Sequence, residues 1–257
     1  MERNRIMIDK DNIVFCSATA SDRIEQAYVL FKSIKNQYPD STCYFHGINC
    51  TNEQLDVLFK MGVNVSNYVT SNLPEPFDIV KLRELEQWHL KEKGYIAYTD
   101  IGLLSASWRL YMMDKLMGEL DRPLMWLDSD CIVLKNIDAF FERASQHDFS
   151  VHYRPKNPDY SKILSSVFVI NNTEKGKLYS ELLPKIYKEV YYEDKWWADP
   201  HTLGEALVRS KVDYWNFKAQ HYNDSAFTDS AYIWHAKHSG VDKPKWKSEF
   251  NKILSTV

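Results

Sequence analysis

A chain of 257 residues that is 44% hydrophobic and 26% charged can bury a full core, and it fits one α/β domain with a small C-terminal extension. Its net charge of -3 argues against a nucleic-acid partner, which needs a lysine and arginine excess on one face, and no apolar run approaches the ~20 residues of a membrane span. The apolar patch after Met1-Glu2-Arg3-Asn4-Arg5 is too short for a secretory signal, so the expected compartment is cytoplasmic. Cys16, Cys43, Cys50 and Cys131 show no Cys-x-x-Cys spacing and are expected to be reduced, buried thiols. The glycosylation sequons at Asn49, Asn64, Asn171 and Asn223 are then coincidental.

Asp9-Lys10-Asp11 sits among charged residues and reads as a solvated lead-in. Ile13-Val14-Phe15-Cys16 is an apolar strand running into Ser17-Ala18-Thr19-Ala20-Ser21, small residues that let a ligand approach the backbone at the strand's carboxyl end. Ile24, Ala27, Tyr28, Phe31 and Ile34 recur at helical spacing behind a Ser21 or Asp22 cap, and Pro39-Asp40 closes that segment before the strand Cys43-Tyr44-Phe45. Thr51 to Gln54 has the form of a capping box, Leu55, Leu58 and Phe59 are expected to face inward, and Gly62 ends the helix before Val63-Asn64-Val65. This strand-helix-strand-helix-strand order is the nucleotide-binding half of many folds. It carries no Gly-x-Gly-x-x-Gly and no P-loop, which argues against a dinucleotide cofactor and a P-loop triphosphate site.

Pro74-Glu75-Pro76 reads as a loop, and the charges around Lys81-Leu82-Arg83-Glu84 as a solvated helix face. Ser105 to Met117 has helical periodicity with Leu110, Met113 and Met117 on the core side, and periodicity alone leaves Arg109 free to face solvent. The most informative stretch follows. Leu124-Met125-Trp126-Leu127 reads as a buried strand that ends in Asp128-Ser129-Asp130, after which Cys131-Ile132-Val133-Leu134 resumes the apolar pattern. Paired carboxylates outside a strand's carboxyl end suit a divalent cation carrying phosphate oxygens, with a capped turn as the bland alternative. Asp199 reads on its own as either a functional carboxylate or an N-cap for a helix beginning at Pro200. Among Trp196, Trp197, Trp215 and Trp234, only the adjacent pair Trp196-Trp197 is expected to offer a sugar-stacking surface, because two neighbouring indoles cannot both point into one core.

The order SWRLYMMDKLM and then PLMWLDSDCIVLKNIDAFF resembles the arginine helix and metal motif of the GT-A fold, in the retaining glycosyltransferase family that includes glycogenin and bacterial α-galactosyltransferases. The resemblance implies a Rossmann-like mixed α/β sheet, with residues 1–130 as the nucleotide-binding half and 131–257 as the acceptor half with a C-terminal element. By motif position Arg109 reaches the donor nucleotide, and Asp128 and Asp130 hold the metal beside Ser129. KILSSVFVINN stands where the family has an Asn-Ala-Gly-like turn, but Leu164-Ser165-Ser166 lacks the asparagine and glycine. WADPHTLGEAL resembles an Asp-Gln-Asp segment in which Asp199 matches the first aspartate and His201 replaces the second, facing the donor sugar. HAKHSGVDKPKW resembles a histidine-glycine-lysine-proline-tryptophan element in which Gly240, Lys243 and Pro244 keep the spacing, so His238 is the expected third metal ligand with His235 in competition.

The implied chemistry is transfer of a sugar from a nucleotide-diphosphate donor, UDP by resemblance, to a hydroxyl of a glycan, lipid or protein, with retention of configuration. Negative charge builds on the departing diphosphate, and a cation on Asp128, Asp130 and His238, with Lys243 alongside, would stabilise it. Carboxylate and phosphate oxygens suit Mn²⁺ or Mg²⁺, and an imidazole ligand tilts the choice to Mn²⁺. Asp199 completes the expected catalytic set, and Ser17, Ala18 and Thr19 the expected donor contacts. Two rivals share parts of this pattern. An aspartate-nucleophile phosphatase also ends a strand in Asp-x-Asp, though normally its first strand and with Thr or Val where Ile132 stands, and a non-catalytic sugar-binding module would need only the aromatics.

Overall fold

The computed structural model describes residues 12–69, 100–158, 162–190 and 198–257. Asp9-Lys10-Asp11, the stretch from Pro74 to Gly94, Trp196-Trp197 and the side chain of His238 lie outside the described residues. Strands β1 (Val14–Ala20), β2 (Thr42–Ile48), β3 (Val63–Tyr68) and β4 (Leu124–Leu127) are parallel neighbours in the order β3-β2-β1-β4. Beyond β4 the direction reverses. Strand β7 (Ile163–Ile170) pairs antiparallel with β4, β6 (Phe149–Tyr153) antiparallel with β7, and β8 (Tyr214–Asn216) parallel with β6. A separate antiparallel ribbon joins β5 (Cys131–Val133) to β9 (Ile233–His235).

Helices cover both faces, which is why β1 reads as an unbroken buried run rather than an alternating one. Because successive strand residues point to opposite faces, Val14, Cys16 and Ala18 meet α3 (Asp100–Leu120), α5 (Glu174–Val190) and α6 (Ala198–Ser210) in one core. Ile13 and Phe15 meet α1 (Ile24–Gln37) and α4 (Asp138–Ala144) in the other. Short α7 (Ala219–Tyr222) precedes β9, and α8 (Pro244–Leu254) lays Trp246 and Ile253 against Ile132, Val29 and Trp234 in a third cluster. Each fully buried large apolar side chain contributes about 1.5–3 kcal/mol of transfer free energy, so these layers dominate the stability.

Several expectations meet the structure directly. In α2 (Asn52–Lys60) the capping box is complete: Gln54 N–H donates to Thr51 Oγ1 at 3.3 Å, and Thr51 N–H to Gln54 Oε1 at 2.9 Å. Gly62 follows at φ 75°, a left-handed turn that suits glycine. Leu110, Met113 and Met117 are buried, as their spacing predicts, and all four cysteines are free and buried.

Other expectations change. Strand β1 continues through the small residues to Ala20, because its ladder with β2 runs to Ala20↔Ile48, so Ser17, Ala18 and Thr19 belong to the strand and are buried. Helix α1 starts at Ile24 after a 3-10 turn of Ser21–Arg23, and Arg23 holds the cap position without a side-chain bond. Phe59 is 66% exposed instead of inward: α2 lies beside the edge strand β3 and buries only Leu58, a stripe too narrow to take the next residue. Helix α3 runs further than its sequence signal at both ends.

Candidate functional site

The site forms where the sheet changes direction. Strand β4 is the last of the parallel set, and Asp128-Ser129-Asp130 makes the turn from its carboxyl end into β5. Backbone bonds fix that turn: Asp128 N–H donates to Ser166 O at 2.9 Å and Cys131 N–H to Asp128 O at 2.9 Å. Ser129 points back to α1, its Oγ donating to Gln26 Oε1 at 3.4 Å. The β5–β9 ladder then pairs Cys131 with His235 and, through Ala236 N–H to Asp130 O at 3.1 Å, sets His235 beside Asp130. One ligand atom each of Asp128, Asp130 and His235 lies within 4.8 Å of the others, and the His235 Nε2 to Asp130 Oδ1 distance is 3.4 Å. Register therefore brings His235, the competing histidine of the sequence reading, to the aspartates.

Around these groups runs a buried charge network. From the middle of α3, Arg109 reaches Asp128 Oδ1 at 3.0 Å and Asp199 Oδ2 at 3.6 Å, and donates to Ser165 O at 2.7 Å. Its guanidinium carbon lies 5.4 Å from the centre of the Trp126 ring, whose Nε1–H donates to Asp128 Oδ1 at 2.8 Å. Arg109 is only 7% exposed in its side chain, whereas Asp128 and Asp130 keep 24% and 22%. A ligand arriving from solvent therefore meets the carboxylates, and Arg109 stands behind them.

Asp199 lies inside the first turn of α6 rather than capping it. Its carboxylate faces the network instead, accepting from Ser165 Oγ at 3.2 Å. Burial pushes the Asp199 carboxyl up to about 6, against the pull of Arg109 and with the push of Asp128. Burial likewise raises Asp130, which His235 opposes and the neighbouring Asp128 reinforces. Three carboxylates facing one guanidinium and one imidazole leave an excess of negative charge that a cation would balance. The oxygen and nitrogen donors and their closeness fit a hard or borderline divalent ion.

Ser165 and Ser166 reach this point through a break in the sheet. The β6–β7 ladder jumps from Val151↔Phe168 to His152↔Leu164, so the intervening β7 residues bulge away from β6 and turn toward the site. Ser166 Oγ lies 3.1 Å from His235 Nδ1 and donates to Asn223 Oδ1 at 3.0 Å. Sequence reasoning missed Ser166 as a partner of histidine, and it missed Trp126 and Asn223 altogether. The Ser166 contacts join residues 57 and 69 positions apart, which no local signal marks, whereas Trp126 lies two residues from Asp128 and its spacing reads only as strand core.

The remaining candidates make contacts of their own. Lys243 Nζ donates to Ser225 O at 3.1 Å and lies 5.0 Å from the Phe227 ring centre. Gly240 is buried against the same ring, where an added Cβ would meet Phe227 at 3.3 Å. His201 is half-buried on α6. Trp234 is buried, its Nε1–H donating to Thr228 O at 2.9 Å, and Trp215 packs with Phe140, Phe217 and Tyr222.

No protein-family model matches the chain, and no curated protein matches its sequence. Solved structures do. The galactosyltransferase LgtC, crystallised with donor and acceptor sugar analogues, aligns over 95% of this chain and 95% of its own at 14% identity and a TM-score of 0.58. The glycosyltransferase GlyE of Streptococcus pneumoniae TIGR4 aligns over 96% of this chain and 63% of its own, at 14% identity and a TM-score of 0.59. The bifunctional glycosyltransferase WbbM aligns over 98% of this chain and 51% of its own, at 9% identity and a TM-score of 0.63. The chain thus spans nearly the whole of LgtC but about half to two thirds of the other two. It has a GT-A-like glycosyltransferase fold.

Proposed function

We propose that this chain is a metal-dependent glycosyltransferase that moves a sugar from a nucleoside-diphosphate donor, UDP-linked by resemblance, to an acceptor hydroxyl on a glycan, lipid or protein, with retention. The observation that carries the reading is the meeting of Asp128, Asp130 and His235 at the carboxyl end of β4 within a GT-A-like fold. Those three residues would hold Mn²⁺ or Mg²⁺, which when bound supplies positive charge to a departing diphosphate. The two halves act as one catalytic domain in this reading. Among the described residues no helix is long and apolar enough to cross a membrane.

The chain's own groups then divide the work. Arg109 and Trp126 hold Asp128 by its Oδ1 and fix the direction in which the carboxylate faces. Asp199, anchored by Ser165 and Arg109, presents a carboxyl that holds a proton up to about pH 6 and stands ready to hydrogen-bond a sugar hydroxyl. By the resemblance Lys243 and the Gly240 turn would close the diphosphate side and the buried strand of Ser17, Ala18 and Thr19 would lie beneath the nucleotide side, while His201, two residues along the helix from Asp199, stands on a different face of it. The phosphatase rival asks Asp128 to attack phosphorus, and with Oδ1 already accepting from both Arg109 and Trp126 only Oδ2 is left for that role.

The test is incubation with a panel of nucleotide sugars and Mn²⁺, scored for nucleoside diphosphate by slow donor hydrolysis. Release from one donor class that stops in excess chelator is the expected result. Phosphate released from simple monoesters, with no diphosphate from any sugar donor, would replace the transferase reading with the phosphatase one.

A further inference from the structure

His235 is held from behind. It is 6% exposed, its Nε2 faces Asp130 Oδ1 at 3.4 Å, and its Nδ1 faces Ser166 Oγ at 3.1 Å. Ser166, 2% exposed, is held in turn by Asn223, which is 3% exposed: the hydroxyl donates to Asn223 Oδ1 at 3.0 Å, and Asn223 Nδ2–H donates back to the hydroxyl oxygen at 2.9 Å. A serine hydroxyl has one proton and two lone pairs. Once that proton goes to Asn223 and one lone pair accepts from the amide, what remains for His235 is the other lone pair, which demands a proton on Nδ1. A neutral imidazole protonated on Nδ1 turns an unprotonated Nε2 lone pair toward the carboxylates. Asn223 is placed for this by its own backbone, donating to Ala219 O at 2.8 Å at the end of α7, next to Asp224, which pairs with Trp234 beside β9.

We infer that Ser166 and Asn223 are positioning residues that orient His235 and fix its tautomer, so that Nε2 is presented to the cation position it shares with Asp128 and Asp130. The inference rests on the metal reading of that cluster. Partners of this kind on a metal-ligating histidine typically change affinity by about 10–100-fold when removed. The two act in series, since Asn223 touches His235 only through Ser166.

The test is a calorimetric titration of the full chain with Mn²⁺ alone, comparing wild type, S166A, N223A, H235A and the double variants S166A/H235A and N223A/H235A. The expected result is about 10–100-fold weaker binding in S166A, a smaller loss in N223A, and no further loss when either is added to H235A. A role confined to holding the fold together would lower affinity in the H235A background as well, and that additivity would overturn the proposal. If S166A fails to fold, the N223A and N223A/H235A pair makes the same decision. Weakened binding in H235A with wild-type binding in S166A and N223A would overturn the relay and leave the metal reading standing. Equal Mn²⁺ binding by wild type and H235A, or none by either, would overturn both.

Discussion

The two flanks of β4 are built by different rules. On the parallel side, β1 to β3 with α1 and α2 follow short-range instructions: a capping box at Thr51, a left-handed glycine at 62, and apolar residues spaced for one buried face. On the antiparallel side, the bulge in β7 and the β5–β9 ribbon bring together residues from four separate segments, and the polar cluster they form opposes burial rather than benefiting from it. One flank is designed by local propensity, the other by long-range register. The site's charges are tolerable because the first supports the second.

The largest effect should come from the register-built flank. D130A should lower donor turnover by about 10²–10³-fold, the usual size of losing one electrostatic contact to a developing charge, while D56A, which breaks only the exposed Lys60–Asp56 pair on α2, should leave it unchanged. Initial rates of nucleoside-diphosphate release measure both. Because Asp130 is disfavoured by its own burial and by Asp128, D130N should also raise the thermal midpoint of the metal-free protein. A D130N protein that is less stable than wild type would show that the carboxylate is structural.

Next in size is R109M. It leaves Asp128 and Asp199 facing each other without their guanidinium, and breaking a largely buried ion pair this way costs about 3 kcal/mol or more, read as a lower urea midpoint. Loss of activity without loss of stability would instead give Arg109 a direct contact with donor.

The third contrast is in pH. His46 on β2 stacks on Trp108 at 4.2 Å between ring centres, bonds Ser66 Oγ through Nδ1 at 2.8 Å, and buries Nε2, so desolvation depresses it from 6.5 to about 3. The unfolded chain therefore takes up a proton that the folded one refuses, and stability falls as pH drops below about 6.5 toward 3, by up to about 1.4 kcal/mol per unit. Asp199 works the other way: raised from 3.8 to about 6, it makes the fold lose stability as pH rises through that window. Urea midpoints across this range should lose their acid-side slope in H46F and their opposing slope in D199N. An unchanged profile in H46F would mean that His46 titrates in the folded state.

The smallest effect should be T51A, about 1 kcal/mol from the lost cap, with no change in donor turnover or Mn²⁺ affinity. Any larger effect on turnover would show that the two flanks are coupled more tightly than their packing suggests.

What could be read from the sequence follows the same division. The strand-end aspartates were legible because an apolar run stops at a fixed residue, and α2's boundaries because caps act within four residues. His235 could be named only as a competitor, since its place beside Asp130 follows from the Cys131↔His235 register, which no local pattern encodes. Asp199 read on its own as either a functional carboxylate or an N-cap before Pro200, because its pairing with Arg109 depends on how α6 packs against α3. Phe59 failed for the converse reason: its spacing was right, but among the described residues nothing at the sheet edge covers it.

The β5–β9 ribbon also imposes an order of assembly. Both aspartates and their supporting β4, β1 and α3 lie well before residue 230 in the chain, while the imidazole arrives with the last strand. During synthesis the carboxylates can fold into place as an acidic pair before His235 joins them, and in the proposed metal reading the ligand set would be completed only when β9 pairs with β5. A cation bound across that junction would act as a latch on the late-docking segment, slowing its release more than it speeds its docking.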